Sequence, residues 1–269
     1  MEILLNALQK IKNTIMMKKK KLLFFTAMTI LLAYIQACKT GELVEPENKK
    51  LTLHFSVVYK NSGISFTDQQ FITKANDTIV PTEFKILFSK IALIRSDNTD
   101  LAIDNVYGFV NFKKSANTIV LDNIPKGAYI GLKFWIGLDS AINYGDPSVY
   151  EATHPLNPNV NGMHWNWAGG YIFSLHEGTY LNKGISEGYS YHIATPRFAN
   201  QITIPFYLPF DKTWVEAHLY VKADMEKYFS SIHNYSIKTE GAGSHSNPAQ
   251  ANIIDKLNTN IQTIFSVTK

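Results

Sequence analysis

The chain has 269 residues, with 26 Lys+Arg against 22 Asp+Glu, 13% aromatic residues and one cysteine. That length holds one large or two small domains with ample material for a core. The formal charge of +4 comes from the N-terminus: residues 1–37 carry six of the 26 basic and one of the 22 acidic residues, leaving 20 against 21. A near-neutral remainder offers no basic footprint for phosphates, which argues against nucleic acid as a partner.

The first stretch reads as an address rather than a fold. Met17 and the run Lys18–Lys21 form a basic segment, Leu22 to Ala37 is apolar, and the segment ends Ile35-Gln36-Ala37-Cys38. The apolar run has signal-peptide length and is short for a spanning helix. Residues 1–37 are therefore expected to be a signal peptide, with residues 1–15 read as an extension ahead of a better start at Met16 or Met17. Cys38, the lone cysteine, sits where a lipid would be attached, and a lipidated Cys38 leaves no thiol for a disulfide or a metal. The expectation is a cell-envelope, outer-membrane lipoprotein facing the periplasm or the cell surface, held to the membrane at Cys38 by a polar tether over residues 38–50.

Beyond the tether the chain reads as short strands. Leu51 to Tyr59 alternates with period two, placing Leu51, Leu53, Phe55, Val57 and Tyr59 on one face. Further strands are expected over 83–94, 101–112, 118–121 and 128–137, then 169–176, 188–194, 201–208 and 213–221. Residues 224–231 predict a short helix. Residues 248–265 predict a second, with Ile253, Leu257, Ile261, Ile264 and Phe265 on one face. Such spacing predicts a mainly β domain over 51–269: an antiparallel β-sandwich or partly closed barrel with a short C-terminal helix and a long functional loop.

That loop carries the chemistry. Residues 131–178 contain three of the four tryptophans, three of the eight histidines and three of the ten prolines. About thirty Asn-, Asp-, Gly- and Pro-rich residues separate two apolar strands there, and loops of that length inside a domain usually bind or shield something. Trp165 and Trp167 lie two apart, so an extended backbone puts both indoles on one face, either closing the mouth of the fold or serving a site. His164 would face the other way, as a ligand or as a loop imidazole bonded to backbone. His192 falls mid-strand. His154 precedes Pro155 and suits ordering the loop. His176 alternates away from Tyr171, Phe173 and Leu175 and is expected at the surface. His54 and His218 lie opposite apolar strand faces, and His233 follows the short helix; all three are read as structural or exposed. Asp139, Asp146, Glu151 and Glu177 match neither a calcium loop nor a catalytic carboxylate pair. Nucleophile-elbow, zinc-protease and phosphate-loop motifs are missing, so the chain is not expected to be an enzyme.

Three blocks resemble one family. These are Ile136-Gly137-Leu138-Asp139-Ser140-Ala141-Ile142-Asn143, then His154-Pro155-Leu156, then Gly162 through Gly178 with its W-x-W core. Together they are similar to the MbnP-like copper-binding family. Tyr191-His192-Ile193 resembles the family's Y-H-I strand, and Ser244-His245-Ser246 with the helix to Phe265-Ser266-Val267 resembles its C-terminal ending. After Ile193 the family usually runs into Gly-Gly or Gly-Ser, whereas this chain has Ala194-Thr195-Pro196. The resemblance implies copper as the cofactor, held by imidazoles and a tryptophan oxidised to kynurenine, with a di-haem cytochrome c peroxidase-like partner making that oxidation. Carried onto this chain, the site would draw on His164, His192, Trp167 and Trp165, with Trp167 favoured as the oxidised ring, and secondarily on His154, His176 and His245. The rival expectation is a metal-free module whose aromatic loop stacks on a glycan or peptide. A third is a structural lipoprotein that keeps the fold without the metal.

Overall fold

The computed structural model describes residues 16–19, 49–115, 117–166, 169–210 and 215–268. The chain divides into a unit over Met1–Pro46 and a second over Glu47–Lys269. Most of the expected leader, Cys38 and most of the tether lie outside the described residues, as do Trp167 and Trp214. Among the described residues no helix is long and apolar enough to cross a membrane.

The second unit is built from strands β1 (Lys50–Tyr59), β2 (Ser62–Gly63), β3 (Phe71–Ile72), β4 (Thr78–Arg95), β5 (Asp100–Ala102), β6 (Gly108–Asn111), β7 (Thr118–Leu121) and β8 (Gly127–Ile136). After the long loop come β9 (His164–Asn166), β10 (Gly170–Asn182), β11 (Ile185–Ala194), β12 (Asn200–Phe210), β13 (Glu216–Asp224), β14 (Gly243–Ser244) and β15 (Phe265–Thr268). The larger sheet runs β12-β8-β4-β10-β11-β14, with β3, β5 and β6 on β4 and β9 on β10; the smaller runs β15-β13-β1-β2, with β7 on β1. Neither sheet closes on itself among the described residues.

Strand β4 shows why the larger sheet has a centre. Its segment Phe84-Lys85-Ile86-Leu87-Phe88 buries side chains on both faces, as expected for a strand covered on both sides. On one face Phe88 meets Phe55 of β1 at 4.9 Å and Phe134 of β8 at 5.1 Å, and Phe265 of β15 sits 5.3 Å from Phe134. These rings join the two sheets into a sandwich. The hairpin β10–β11 turns through Lys183 and Gly184, both with positive φ (49° and 83°), the backbone of a two-residue primed turn.

Two features depart from the sequence expectation. The pairing is not purely antiparallel: β1 runs parallel to β13 over nine register pairs, and β11 runs parallel to β14. Alternation within a strand says which face is buried and nothing about a partner's direction, so this was not readable. The strand expected over 101–112 is two short ones, β5 and β6, each pairing with β4 on either side of a turn at Asn105 (φ 58°).

The second helix spans Ala251–Ile261, entered through a tight turn at Pro248–Gln250 that Asn247 caps. Its buried side is Ile254, Leu257 and Ile261, one position off the predicted stripe at its start. Phe265 belongs to β15 instead. Asn260, fully buried, donates to the carbonyls of Tyr228 (3.1 Å) and His233 (2.9 Å) and accepts from the His233 amide (2.8 Å). One side chain thus ties this helix to the short helix Met225–Phe229, which falls within the expected 224–231.

His176 is a correction. It is fully buried, not at the surface, because it pairs with Phe84 on the face of the sheet that also carries Phe88, where Tyr228, Phe229, Tyr189 and Phe84 enclose it. Its Nδ1 meets no hydrogen-bonding atom among the described residues. Burial pushes its pKa down from 6.5 to about 3. A histidine held neutral in the fold contributes stability above the unfolded pKa, and that contribution drains as pH falls from 6.5 towards 3. Between pH 7 and pH 5 the loss attributable to His176 should reach about 2 kcal/mol. Urea unfolding at both pH values should show that difference in the parent and not in His176→Phe.

Candidate metal centre

The site forms where the long loop returns onto β10. The loop's asparagines satisfy its backbone. Asn157 donates to the Tyr150 carbonyl (2.9 Å) and caps the Pro158–Asn161 turn; Asn161 donates to the Pro155 carbonyl (2.8 Å) and accepts from the Met163 amide (2.6 Å). Asn143, fully buried, accepts from the Tyr171 amide (2.9 Å), and the Tyr171 hydroxyl donates to the Leu156 carbonyl (2.6 Å). Gly170 is required at the return: its φ is +66°, and a Cβ there would lie 2.4 Å from the Asn143 amide nitrogen. Leu138, Leu156 and Met163 are buried beneath this frame. The loop is thus a fixed structure that delivers β9 to the edge of β10.

Strand alternation then splits β9. His164 sets its ring edge-on to Tyr171, 4.5 Å away, and burial lowers its pKa. Trp165 projects to the other side, with its ring centre 6.0 Å from His192 and 6.3 Å from His245. About a third of Trp165 remains exposed (37%).

His192 and His245 meet through their Nδ1 atoms at 2.9 Å, with ring centres 4.6 Å apart. The segment carrying His245 is laid along β11 as a parallel strip. The Ser190 amide donates to the Ala242 carbonyl (2.9 Å), and β14 registers Ser190 with Gly243 and Tyr191 with Ser244. Ser246 finishes the strip: its hydroxyl donates to the His192 carbonyl (2.8 Å) and accepts from the Ala194 amide (2.9 Å). On the far side of the His192 ring, Nε2 lies 2.8 Å from Glu177 Oε1 and 3.1 Å from the Ser190 hydroxyl, which itself donates to the same carboxylate oxygen (3.2 Å). A carboxylate can only accept, so Nε2 carries the proton, and a neutral His192 presents its Nδ1 lone pair towards His245. Burial lowers the His192 pKa, with the Glu177 bond acting in the opposite direction. The ring is therefore neutral, as a ligand must be.

The structure thus brings together Trp165, His192 and His245. His154 stacks on Tyr150 (4.5 Å) and accepts the Leu156 amide on Nδ1 (3.1 Å), ordering the loop. His176 lies in its aromatic enclosure. Trp167 is outside the described residues. Glu177, which matches neither a calcium loop nor a catalytic carboxylate pair in the sequence, here fixes the tautomer of His192. The usable signal was the E-G end of the tryptophan block, which places Glu177 across the hairpin from Ser190. Among the described residues no cluster of three or more His, Cys, Asp or Glu side chains is placed to hold a metal. The conventional donors here number two, and both are imidazole nitrogens.

A two-sheet β protein with paired imidazoles under an indole is the class this architecture defines. Residues 48–250 match the model of the MbnP family, and the chain belongs to that family. Among solved structures, MbnP from Methylosinus trichosporium is similar with a TM-score of 0.54 and 17% identity, covering 82% of this chain and 98% of that one. At that identity the likeness carries the fold. No curated protein matches the chain. The family match ends at residue 250, ahead of the helix Ala251–Ile261.

Three residues past His192 the chain holds Thr195 at φ 73°, ψ 140°, a conformation that belongs to glycine and is strained for a β-branched side chain. This is where the family pattern has Gly-Gly or Gly-Ser. Thr195→Gly should therefore stabilise the fold by about 1 kcal/mol, read as a rise in the urea midpoint at unchanged slope.

Proposed function

We propose that this chain is a copper-binding envelope lipoprotein and not an enzyme. Its leader over residues 1–37 is removed, and Cys38 carries the lipid. The observation that supports the copper reading is the approach of two imidazole Nδ1 atoms to 2.9 Å, with the Trp165 ring within 6.3 Å of both. The donor set fits the metal: imidazole suits copper, and a site without thiolate or carboxylate ligands does not suit calcium or magnesium. His192 and His245 would hold the ion. Copper held there would supply a redox-active centre on nitrogen donors. This chain's own residues do the rest: Glu177 and Ser190 orient His192, Ser246 fixes the strip that bears His245, and the Asn-knit loop sets the indole over both.

The third donor in this reading is Trp165 after oxidation to kynurenine. Opening the ring cleaves the C2–C3 bond, removes C2 as a one-carbon fragment, and leaves a ketone and an aromatic amine with a usable lone pair. The oxidant is a peroxide-using di-haem partner of the cytochrome c peroxidase class. The partly exposed indole edge gives that partner a point of approach.

Metal analysis of the protein from its native host should find one copper per site that disappears in His192→Ala/His245→Ala. The proteolytic peptide bearing Trp165 should exceed its sequence mass by about 4 Da, since a ring carbon is exchanged for oxygen, and Trp165→Phe should abolish that increment. Full copper in the double variant sinks the ligand assignment. A chain with neither copper nor added mass that responds to glycans supports the stacking-module reading instead. Glu177→Gln keeps the shape but loses the obligate acceptor, and should weaken copper by about 10- to 100-fold in a competition titration.

A further inference from the structure

A second imidazole pair stands on the outer face of the smaller sheet, well removed in sequence from the tryptophan loop. His54 of β1 and His218 of β13 approach to 2.9 Å between Nε2 and Nδ1. The parallel register explains the meeting. Thr52 lies opposite His218 and His54 opposite Tyr220, so the imidazoles are diagonal neighbours on one face. Tyr220 stacks on the His54 ring at 4.9 Å and 19°, which fixes one imidazole. His218 is exposed and Tyr220 is half exposed (51%), so the other ring is free to turn. Beside them a cleft of about 290 Å³ is lined by Tyr207, His218, Tyr220 and Thr268, among others. Glu216, two residues before His218 on that face, accepts from the Thr52 hydroxyl (3.1 Å).

We propose that His54 and His218 form a second, surface metal site for a late divalent transition ion, copper(II) foremost. This goes beyond the role assigned to His192 and His245 and does not rest on it. Two nitrogens 2.9 Å apart have the spacing of neighbouring positions around an ion with bonds of about 2 Å. The rings now meet nearly end to end, since their centres are 5.1 Å apart against 4.6 Å for His192 and His245 at the same nitrogen spacing. A turn of the exposed His218 ring about its Cβ–Cγ bond brings both lone pairs onto one point. The shared hydrogen moves through solvent to the far nitrogen of the ring that donated it, so each ring carries one proton away from the ion and turns a lone pair towards it. Water completes the coordination from the open side. Among divalent first-row ions an imidazole site of this kind ranks copper highest, and two ligands on paired strands are held without a loop to order.

The test uses the full chain with His192→Gln/His245→Gln, which removes the nitrogens of the other pair. Copper(II) titrated against a chromophoric chelator should bind at one equivalent, with spin-resonance splitting from two nitrogens. Adding His54→Gln/His218→Gln, or His218→Ala alone, should weaken that equivalent at least tenfold. In the parent chain, His54→Gln/His218→Gln should leave the equivalent at His192 and His245 intact, which also reports that the fold survives. No bound equivalent in the first variant, or one that persists after His54 and His218 are replaced, overturns the proposal. If the parent binds a single equivalent that only the His54 and His218 substitutions remove, this site stands and the copper reading of the other falls.

Discussion

The arrangement depends on one contact, the approach of His192 Nδ1 to His245 Nδ1 at 2.9 Å. Two imidazoles held that close are tolerable only while they carry at most one charge between them. Desolvation and the neighbouring His245 both hold the His192 pKa down. The contact is imposed by backbone. Ser246 bonds both the His192 carbonyl and the Ala194 amide, so a residue 53 positions later is fixed to the strand it serves. Without that strip β11 would end as an open edge, with a single imidazole and no partner.

The long loop serves the same contact from the other side. A segment of this length would ordinarily have many unbonded polar groups and a large ordering cost. Here Asn143, Asn157 and Asn161 supply side-chain partners to the backbone, and Leu138, Leu156 and Met163 anchor it from beneath. The outcome is a rigid frame, ending in a three-residue strand whose alternation sends His164 to Tyr171 and Trp165 to the imidazoles. A shift of one residue would exchange the two. Gly170, which no other residue can replace without striking Asn143, guards that register.

Much of this was legible in the residues, within limits set by what a linear pattern encodes. Alternation in Leu51–Tyr59 located a strand and its buried face. It could not reveal that β13 lies alongside in parallel, because 164 residues separate His54 from His218 and nothing local marks the pairing. The same blindness left those two histidines looking like unrelated surface residues. Alternation predicts His176 at the surface because it assumes that the face opposite Tyr171, Phe173 and Leu175 is wet, whereas both faces of β10 are covered and His176 packs among Phe84, Tyr189, Tyr228 and Phe229. His245 sat in a Gly-Ser stretch with no periodicity to orient it, and only its hydrogen-bonded docking on β11 gives it a role. His192 and the tryptophan block were found through motif resemblance, since composition marked the loop as unusual without saying what it holds.

The two imidazole pairs in one chain sharpen what distinguishes a built site from a reactive surface. Both have nitrogens at the same separation, yet their surroundings differ. At His192 a carboxylate on the far nitrogen dictates the tautomer, the ring is largely buried, and the rings meet obliquely, so donor orientation is set before any ion arrives. At His54 the far nitrogen has no such acceptor among the bonds of the described residues, the rings meet end to end, and His218 must turn. Preorganisation of this sort separates tight capture from loose, exchangeable binding, because the cost of ordering the ligands is met in folding in one case and at binding in the other. If both hold copper, the surface pair would be the faster and weaker of the two. The pair beneath Trp165 would be the one whose affinity depends on a third donor that only chemistry on the indole can supply.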